Sequence, residues 1–139
     1  MISVKMNWAG GMKFEGINAF GNKIIIDGPK SAGGEESGYK PTELLLYGIA
    51  GCTGIDVVRI MEKQRQPLSS LEIEVVGHHN DDYPKPFHTV EVKYIARGEN
   101  VDPGKLEKAI KLSEAKYCMV SQTVACATKV TTSFEVLPE

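Results

Sequence analysis

The sequence lacks a surplus of positive charge, a cysteine-rich framework and an apolar run long enough to cross a membrane. Its 16 Lys and Arg against 18 Asp and Glu leave a net charge of −2. We therefore expect neither nucleic acid nor a membrane surface as a partner. Three cysteines without repeated spacing argue against a small secreted disulfide fold, and no signal-like apolar segment follows Met1. Together these absences predict a cytoplasmic protein.

The length and composition are those of an ordinary soluble domain. The 139 residues are 42% hydrophobic and 24% charged, without internal repeats. A chain of this size buries about two-thirds of the surface that it exposes when unfolded, which is enough for a core. We interpret residues 1–139 as a single domain.

Periodicity divides the chain into strands and helices. Alternating residues predict strands at 2–8, 12–19, 23–27, 71–77, 87–96 and 130–137. A long apolar helix is expected from Thr42, as N-cap, to the residues before Pro67, with a loop over 28–40 preceding it. Asp102-Pro103 starts a second helix that continues to Tyr117, and 121–127 form a third. Strands grouped apart from helices predict an α+β fold with antiparallel sheets.

The long helix is apolar on every side in its first half, from Leu44 onwards. A helix of that kind must be buried all round, as the central helix of the fold. One small domain can hardly cover it, and burying a single leucine contributes about 1.5–3 kcal/mol. The sequence therefore predicts an obligate homodimer.

A glycine run in this helix has two interpretations. Gly48, Gly51 and Gly54 follow an apolar segment, and Glu74 lies 20 residues further on, as in a dinucleotide-binding fingerprint. The spacing differs from G-x-G-x-x-G, and the hairpin pattern after residue 70 provides no parallel sheet for a nucleotide. The favoured interpretation is that each glycine lets another helix approach closely.

Two cysteine motifs carry a family resemblance. The first runs from Pro41 through Leu-Leu-Leu-Tyr-Gly-Ile-Ala-Gly to Cys52-Thr-Gly-Ile-Asp-Val-Val, and the second is Ala115-Lys-Tyr-Cys118-Met-Val-Ser121. In order and context they resemble the OsmC/organic-hydroperoxide-resistance family over essentially the whole chain. The resemblance is to a subgroup distinct from the well-studied peroxidases.

The resemblance implies an intertwined homodimer that reduces organic hydroperoxides at the subunit interface. Cys52 would be the peroxidatic cysteine and Cys118 the resolving one, with an external dithiol as reductant and no metal, flavin or haem. This chemistry suits the residues, because a thiolate is the nucleophile and a sulfenic acid needs a nearby thiol to escape overoxidation. Cys126 lies outside both motifs, and we expect a small buried hydrophobic residue there.

The sequence departs from the family pattern where the thiolate is activated. The family's early arginine is missing, leaving Lys13 as the nearest cation in that region, and Thr42 aligns with the family glutamate, one residue before Glu43. We retain Glu43 and Arg59 as candidate catalytic residues. A separation of nine residues along a regular helix, however, places Glu43 and Cys52 on opposite faces.

Two charged residues share a helix face with Cys52. Asp56 lies four residues beyond Cys52, and its charge would raise the pKa of that thiol if it were unpaired. Arg59 lies seven residues beyond Cys52. It either approaches the thiolate, pairs with Asp56 or is simply solvated.

The remaining candidates are weaker. His78, His79 and His88 flank a hairpin loop containing Asp81 and Asp82, which is either a metal cluster or, as we favour, a polar tip. Two alternatives to the peroxidase stay open: a small-molecule or thiol-ligand binder on the same scaffold, and a nucleotide-binding module. Hydroperoxide consumption with a dithiol and stabilisation by NAD discriminate among the three.

Overall fold

The computed structural model describes residues 1–138 as two compact units, Met1–Leu45 and Leu46 onwards. The first unit contains strands β1 (Met6–Trp8), β2 (Phe14–Ile17) and β3 (Lys23–Ile26) in one antiparallel sheet of that order. The three strands lie where alternation predicts them, with shorter bounds. The interpretation of the chain as one domain stays a prediction.

The first unit has almost no interior of its own. Among residues 1–45 only Gly16 and Asp27 are buried. Large apolar side chains are instead exposed on it, namely Met1, Ile2, Val4, Trp8, Met12, Phe14, Ile17, Phe20, Tyr39 and Leu45. Apolar surface on this scale is typical of a face that another surface covers.

The loop after β3 is organised by one buried carboxylate. Asp27 is 3% exposed and accepts hydrogen bonds from the backbone N–H groups of Gly28, Glu35 and Ser37. The Ser37 hydroxyl donates a fourth at 2.6 Å. The Ser37 hydroxyl contributes most to lowering the pKa of Asp27 from 3.8 to about 2, against the opposing effect of burial. The predicted loop is therefore an ordered structure around Asp27.

Helix α1 (Pro41–Lys63) crosses from one unit to the other. It begins at Pro41 rather than after a Thr42 N-cap, because proline suits the first helical position. Glu43 reaches back to accept the Lys40 backbone N–H at 3.2 Å, which is half of a capping box. The helix ends before Pro67, as predicted.

The second unit contains a mixed sheet of order β4-β5-β6, formed by β4 (Ser70–His79), β5 (Phe87–Arg97) and β6 (Lys129–Leu137). Strands β4 and β5 are an antiparallel hairpin, as predicted. The expectation of antiparallel sheets is wrong for β6, which pairs parallel with β5. The connection between them contains helices, and a crossover of that kind returns the chain in the same direction.

Two further helices form this crossover. Helix α2 (Pro103–Leu112) starts as predicted, with Asp102 accepting the Gly104 N–H at 2.8 Å. The predicted continuation to Tyr117 is instead a separate π-helical turn over Ser113–Tyr117, and α3 follows at Met119–Ala125. Tyr117 is exposed rather than on the buried face. The order of strands and α-helices is the predicted β-β-β-α-β-β-α-α-β.

The core of the second unit is formed by one face of α1, the inner face of β5 and α2. Its buried apolar members are Ile49, Val57, Met61, Val90, Val92, Tyr94, Ala96, Leu106, Ala109 and Ile110. The other faces of α1 carry Tyr47 and Ile55, which are 60% and 64% exposed. This chain alone therefore does not bury α1 on all sides.

The expectation that no stretch reaches membrane-spanning length is wrong for α1. By length and composition Pro41–Lys63 is sufficient to cross a membrane. The core helix of a soluble protein meets the same criteria, and α1 packs on the sheet of its unit through the buried residues above.

Asp27 should make stability depend on pH in the acid range. A carboxylate with a lowered folded-state pKa stabilises the fold above the unfolded pKa and loses that contribution as pH falls through the folded pKa. We expect Asp27→Asn to unfold at lower denaturant concentration at pH 7. The difference from wild type should shrink between pH 3.8 and about 2. Urea titrations at several pH values measure it, with the exposed Asp81→Asn as matched control; a constant difference across that range would contradict the assignment.

Candidate active site around two cysteines

Three side chains from two separate parts of the sequence converge in the second unit. The Sγ atoms of Cys52 and Cys118 and a carboxylate oxygen of Asp56 all lie within 4.8 Å of one another. Cys52 and Asp56 are four residues apart on α1, a spacing that places both on one helix face. Cys118 follows the π-helical turn and caps α3. The structure thus brings the two motif cysteines together.

Cys118 is held in a defined position. It is fully buried, and its backbone N–H donates to the Ser113 carbonyl at 2.7 Å, closing the π-helical turn. Its sulfur accepts the Ser121 N–H at 3.3 Å and donates to the Ser121 hydroxyl at 3.1 Å. Irregular turns of this type are frequent at functional sites.

Cys52 is partly exposed and therefore the accessible thiol of the pair. Burial is the main effect that raises the pKa of the Cys52 thiol, and the adjacent Cys118 and the Asp56 charge raise it further. The Val120 backbone N–H opposes them. The effect that the sequence predicted for Asp56 is thus present but secondary to burial.

A chain of buried hydroxyls ends on Asp56. The Tyr94 and Thr53 hydroxyl oxygens are 2.6 Å apart, Thr53 and Ser113 are 3.1 Å apart, and Ser113 lies 2.9 Å from Asp56 Oδ2. Tyr94, Thr53 and Ser113 are each 0% exposed. The chain links β5, α1 and the start of the π-helical turn, so it connects the sheet to the cysteine cluster.

The direction of donation in this chain follows from valence. A hydroxyl has one hydrogen, and an ionised carboxylate only accepts, so Ser113 donates to Asp56 and accepts from Thr53. Thr53 then accepts from Tyr94, whose pKa is raised, chiefly by burial, so that it stays a donor. All three hydroxyls are satisfied in this arrangement, and Asp56 is oriented by the last of them.

The remaining predicted activating residues lie elsewhere or act differently. Glu43 binds the Lys40 backbone at the start of α1, and Lys13 forms a 3.4 Å ion pair with Glu35 in the first unit. Arg59 is exposed, and among residues 1–138 the hydrogen-bonding partner of Asp56 is Ser113 rather than Arg59. The catalytic roles of Glu43 and Arg59 stay predictions.

An open cavity adjoins Asp56 in the second unit. Its volume is about 260 Å³, and it is lined by Asp56, Arg59, Ile60, Lys63, Leu112 and Tyr117. Two cations therefore line the approach to the carboxylate.

Other sequence interpretations are corrected or refined. Cys126 is exposed, not buried, because it follows the solvent-facing end of α3. Among the described residues, the three histidines belong to no group of metal ligands; His78, for example, bonds Glu91 at 2.8 Å.

The glycine run does not form a nucleotide-binding turn, because it lies inside α1. A Cβ at Gly48 would lie 3.7 Å from Val120 of helix α3, and one at Gly54 would meet Ile73 of strand β4 at 2.9 Å, whereas Gly51 has open space. The expectation that another helix approaches each glycine is therefore wrong for Gly51 and Gly54.

Thr53, Ser113 and Tyr94 were not recognised as site residues from sequence. One signal was present: Thr53 is the polar member of a buried series otherwise formed by Ile49, Val57 and Met61. A lone hydroxyl on a buried helix face requires a hydrogen-bonding partner. The sequence could not identify that partner, since Tyr94 is 41 residues away on a strand.

Substitutions that break the hydroxyl chain should destabilise the protein, and their effects on the free energy of unfolding should not be additive. Thr53→Val leaves the Tyr94 hydroxyl buried without a partner, which costs about 1–3 kcal/mol. Tyr94→Phe removes that hydroxyl, so the double variant should be less destabilised than the sum of the single ones. Denaturant unfolding measures all three, with exposed Thr123→Val as control, expected to change stability by less than about 0.5 kcal/mol. Strict additivity would contradict the contact.

Comparisons with known proteins agree with this geometry. The sequence model of the family described as OsmC-like protein matches residues 33–133. Protein YhfA of Escherichia coli K12 is 29% identical over 136 residues, covering 98% of each chain. A crystal structure of a hypothetical protein from Aquifex aeolicus VF5 is 34% identical with a TM-score of 0.88, covering 100% of this chain and 98% of that one.

A more distant structure shares the fold. The organic hydroperoxide resistance protein OhrB of Bacillus subtilis is 18% identical with a TM-score of 0.65, covering 96% of this chain and 98% of its own. The matched family segment includes both clustered cysteines and most of the chain. The protein therefore belongs to the OsmC-like family.

Proposed function

We propose that this protein is a thiol-dependent reductase of organic hydroperoxides, with Cys52 peroxidatic and Cys118 resolving. The observation that carries the proposal is the pairing of a partly exposed thiol with a buried thiol, their sulfurs within 4.8 Å. Membership of the OsmC-like family and the fold shared with organic hydroperoxide resistance proteins support a redox role.

In the first step the Cys52 thiolate attacks the terminal oxygen of the hydroperoxide. The O–O bond breaks, an S–O bond forms, and the peroxide is reduced to an alkoxide that takes a proton to become the alcohol. Cys52 is oxidised to a sulfenic acid. Its partial exposure suits the attacking role, whereas the fully buried Cys118 cannot meet a substrate first.

In the second step the Cys118 sulfur attacks the sulfenic sulfur, forming a disulfide and releasing water. The sulfurs must close from within 4.8 Å to about 2.05 Å, which is a local movement. Cys118 lies between the π-helical turn and a seven-residue helix, so the movement falls in a connection outside the sheet. An external dithiol then reduces the disulfide by two exchange steps.

Arg59 is proposed as the cation that replaces the family's early arginine. It lines the cavity beside Asp56 together with Lys63, within the unit that contains both cysteines. A cation there favours the thiolate and the departing alkoxide. No comparable proposal is made for Glu43, whose carboxylate is engaged at the helix start.

We also propose that the protein is a cytoplasmic homodimer. The second unit exposes Tyr47, Ile55 and Val58 on α1, and the first unit buries no apolar side chain of its own. A second copy of the chain is the partner that supplies matching apolar faces, since most soluble oligomers are symmetric homo-oligomers.

The homodimer is tested by sedimentation at micromolar concentration. We expect a dimer for the wild type and dissociation by Ile55→Asp, because a buried charge without a partner is strongly unfavourable. Lys108→Asp on the exposed side of α2 is the matched control and should stay dimeric. A compact, stable wild-type monomer would refute the proposal.

The reductase activity is tested by consumption of cumene hydroperoxide with dithiothreitol. Wild type and Cys126→Ser should consume the peroxide, and Cys52→Ser should not. Peptide mapping after peroxide treatment should find a Cys52–Cys118 disulfide with Cys126 reduced. Wild type that binds the peroxide without consuming it would identify the scaffold as a binding protein instead, and a Cys52–Cys126 link would refute the resolving role.

The pH profile of the same assay tests how the thiol is activated. Because burial raises the pKa of Cys52, the rate should increase toward alkaline pH. Asp56→Asn keeps the Ser113 hydrogen bond but removes a charge that raises the pKa of Cys52, so it should increase the rate at neutral pH. Arg59→Ala should lower the rate; a profile indifferent to both variants would show that another group tunes the thiol.

A further inference from the structure

We propose that Cys52, Cys118 and Asp56 form a site for a thiophilic divalent cation in the reduced protein, with Zn²⁺ as its representative ligand. Two thiolates and one carboxylate are a donor set that zinc accepts. The proposal goes beyond the reductase function and does not depend on it.

The donor atoms already converge. Zinc binds thiolate sulfur at about 2.3 Å and carboxylate oxygen at about 2.0–2.2 Å, so tetrahedral ligands lie about 3.8 Å apart or less. The three donor atoms lie within 4.8 Å of one another, and contraction of about 1 Å brings them into this range. Cys52 and Asp56 are four residues apart on a helix, the spacing that the two histidines of helical zinc motifs use.

The outer contacts of a metal site are also present. Ligating carboxylates are usually oriented by a hydrogen bond, and Asp56 Oδ2 accepts the Ser113 hydroxyl at 2.9 Å. Ser113 is itself held by the buried Thr53 and Tyr94 hydroxyls. On the other side, Ser121 fixes Cys118 through its backbone and hydroxyl. A carboxylate free to rotate would not have this support.

Charge and access are compatible with an ion. Two thiolates, one carboxylate and Zn²⁺ leave a net charge of about −1, and Arg59 and Lys63 line the adjoining cavity of about 260 Å³. Water from this cavity supplies the fourth ligand. Binding is also limited to one redox state, because a Cys52–Cys118 disulfide removes both sulfur ligands.

The test is competition for Zn²⁺ between a chromophoric chelator and reduced, EDTA-stripped full-length protein. We expect one Zn²⁺ per chain, with binding lost in Cys52→Ser and Cys118→Ser. Asp56→Asn removes the carboxylate ligand and should weaken binding, and Ser113→Ala should weaken it by roughly 10–100-fold, the usual effect of losing a group that supports a ligand. Cys126→Ser and Asp81→Asn are matched controls and should bind as wild type does.

A second readout reports the ligands directly. Co²⁺ should give a thiolate-to-metal charge-transfer band in reduced wild type and none in diamide-oxidised protein or either cysteine variant. Absence of stoichiometric binding by wild type, or binding that survives Cys52→Ser or Cys118→Ser, overturns the proposal. Ser113→Ala retains all three donors, so an unaltered affinity there removes the supporting role assigned to the hydroxyl chain.

The two proposals fail in different ways. Zinc binding without hydroperoxide consumption by the metal-free protein refutes the reductase and leaves the metal site standing. Hydroperoxide consumption without zinc binding refutes the metal site and leaves the reductase function standing. Circular dichroism of each variant confirms that a loss of binding is not a loss of fold.

Discussion

The rotational position of α1 on the sheet of the second unit is the constraint on which the candidate site depends. Its buried face consists of Ile49, Thr53, Val57 and Met61, four residues apart in each case. The 2.6 Å contact between Thr53 and Tyr94 fixes that face in register with β5. Cys52 and Asp56 each precede a member of the buried series by one residue, so both lie at its edge beside Ser113 and Cys118. A different rotation of the helix would separate the thiols.

The hydroxyl chain connects this packing constraint to the chemistry. Buried hydroxyls destabilise a core unless each finds a partner, and here the partners form a sequence from Tyr94 to Asp56. The carboxylate is consequently oriented by the core rather than by solvent. A negative charge beside Cys52 disfavours its thiolate, yet it favours a bound cation. The position of Asp56 beside Cys52 therefore affects both proposed roles of the two thiols, hydroperoxide reduction and cation binding.

The structure shows where the residues lie that were considered in place of the family's activating residues. Lys13 is paired to Glu35, and Glu43 is engaged at the helix start, whereas the charged residues that line the cavity at Asp56 are Asp56 itself, Arg59 and Lys63. Of these three, Asp56 raises the pKa of Cys52, although burial and the adjacent Cys118 contribute more.

Sequence alone determined the order of elements, the bounds of α1 to within a few residues, the Asp102 cap and the pair of motif cysteines. These features depend on local periodicity, on turn and cap chemistry, or on a motif, and each of these signals involves residues that are close together in the sequence. The tertiary structure decided the parallel pairing of β6, the exposed faces of α1, the exposure of Cys126, the π-helical turn and the chain from Tyr94 to Asp56. Apart from the π-helical turn, which a bond between Ser113 and Cys118 closes, each of these depends on contacts between residues far apart in the chain. Strand direction, burial and hydrogen-bonding partners are properties of packed elements rather than of segments.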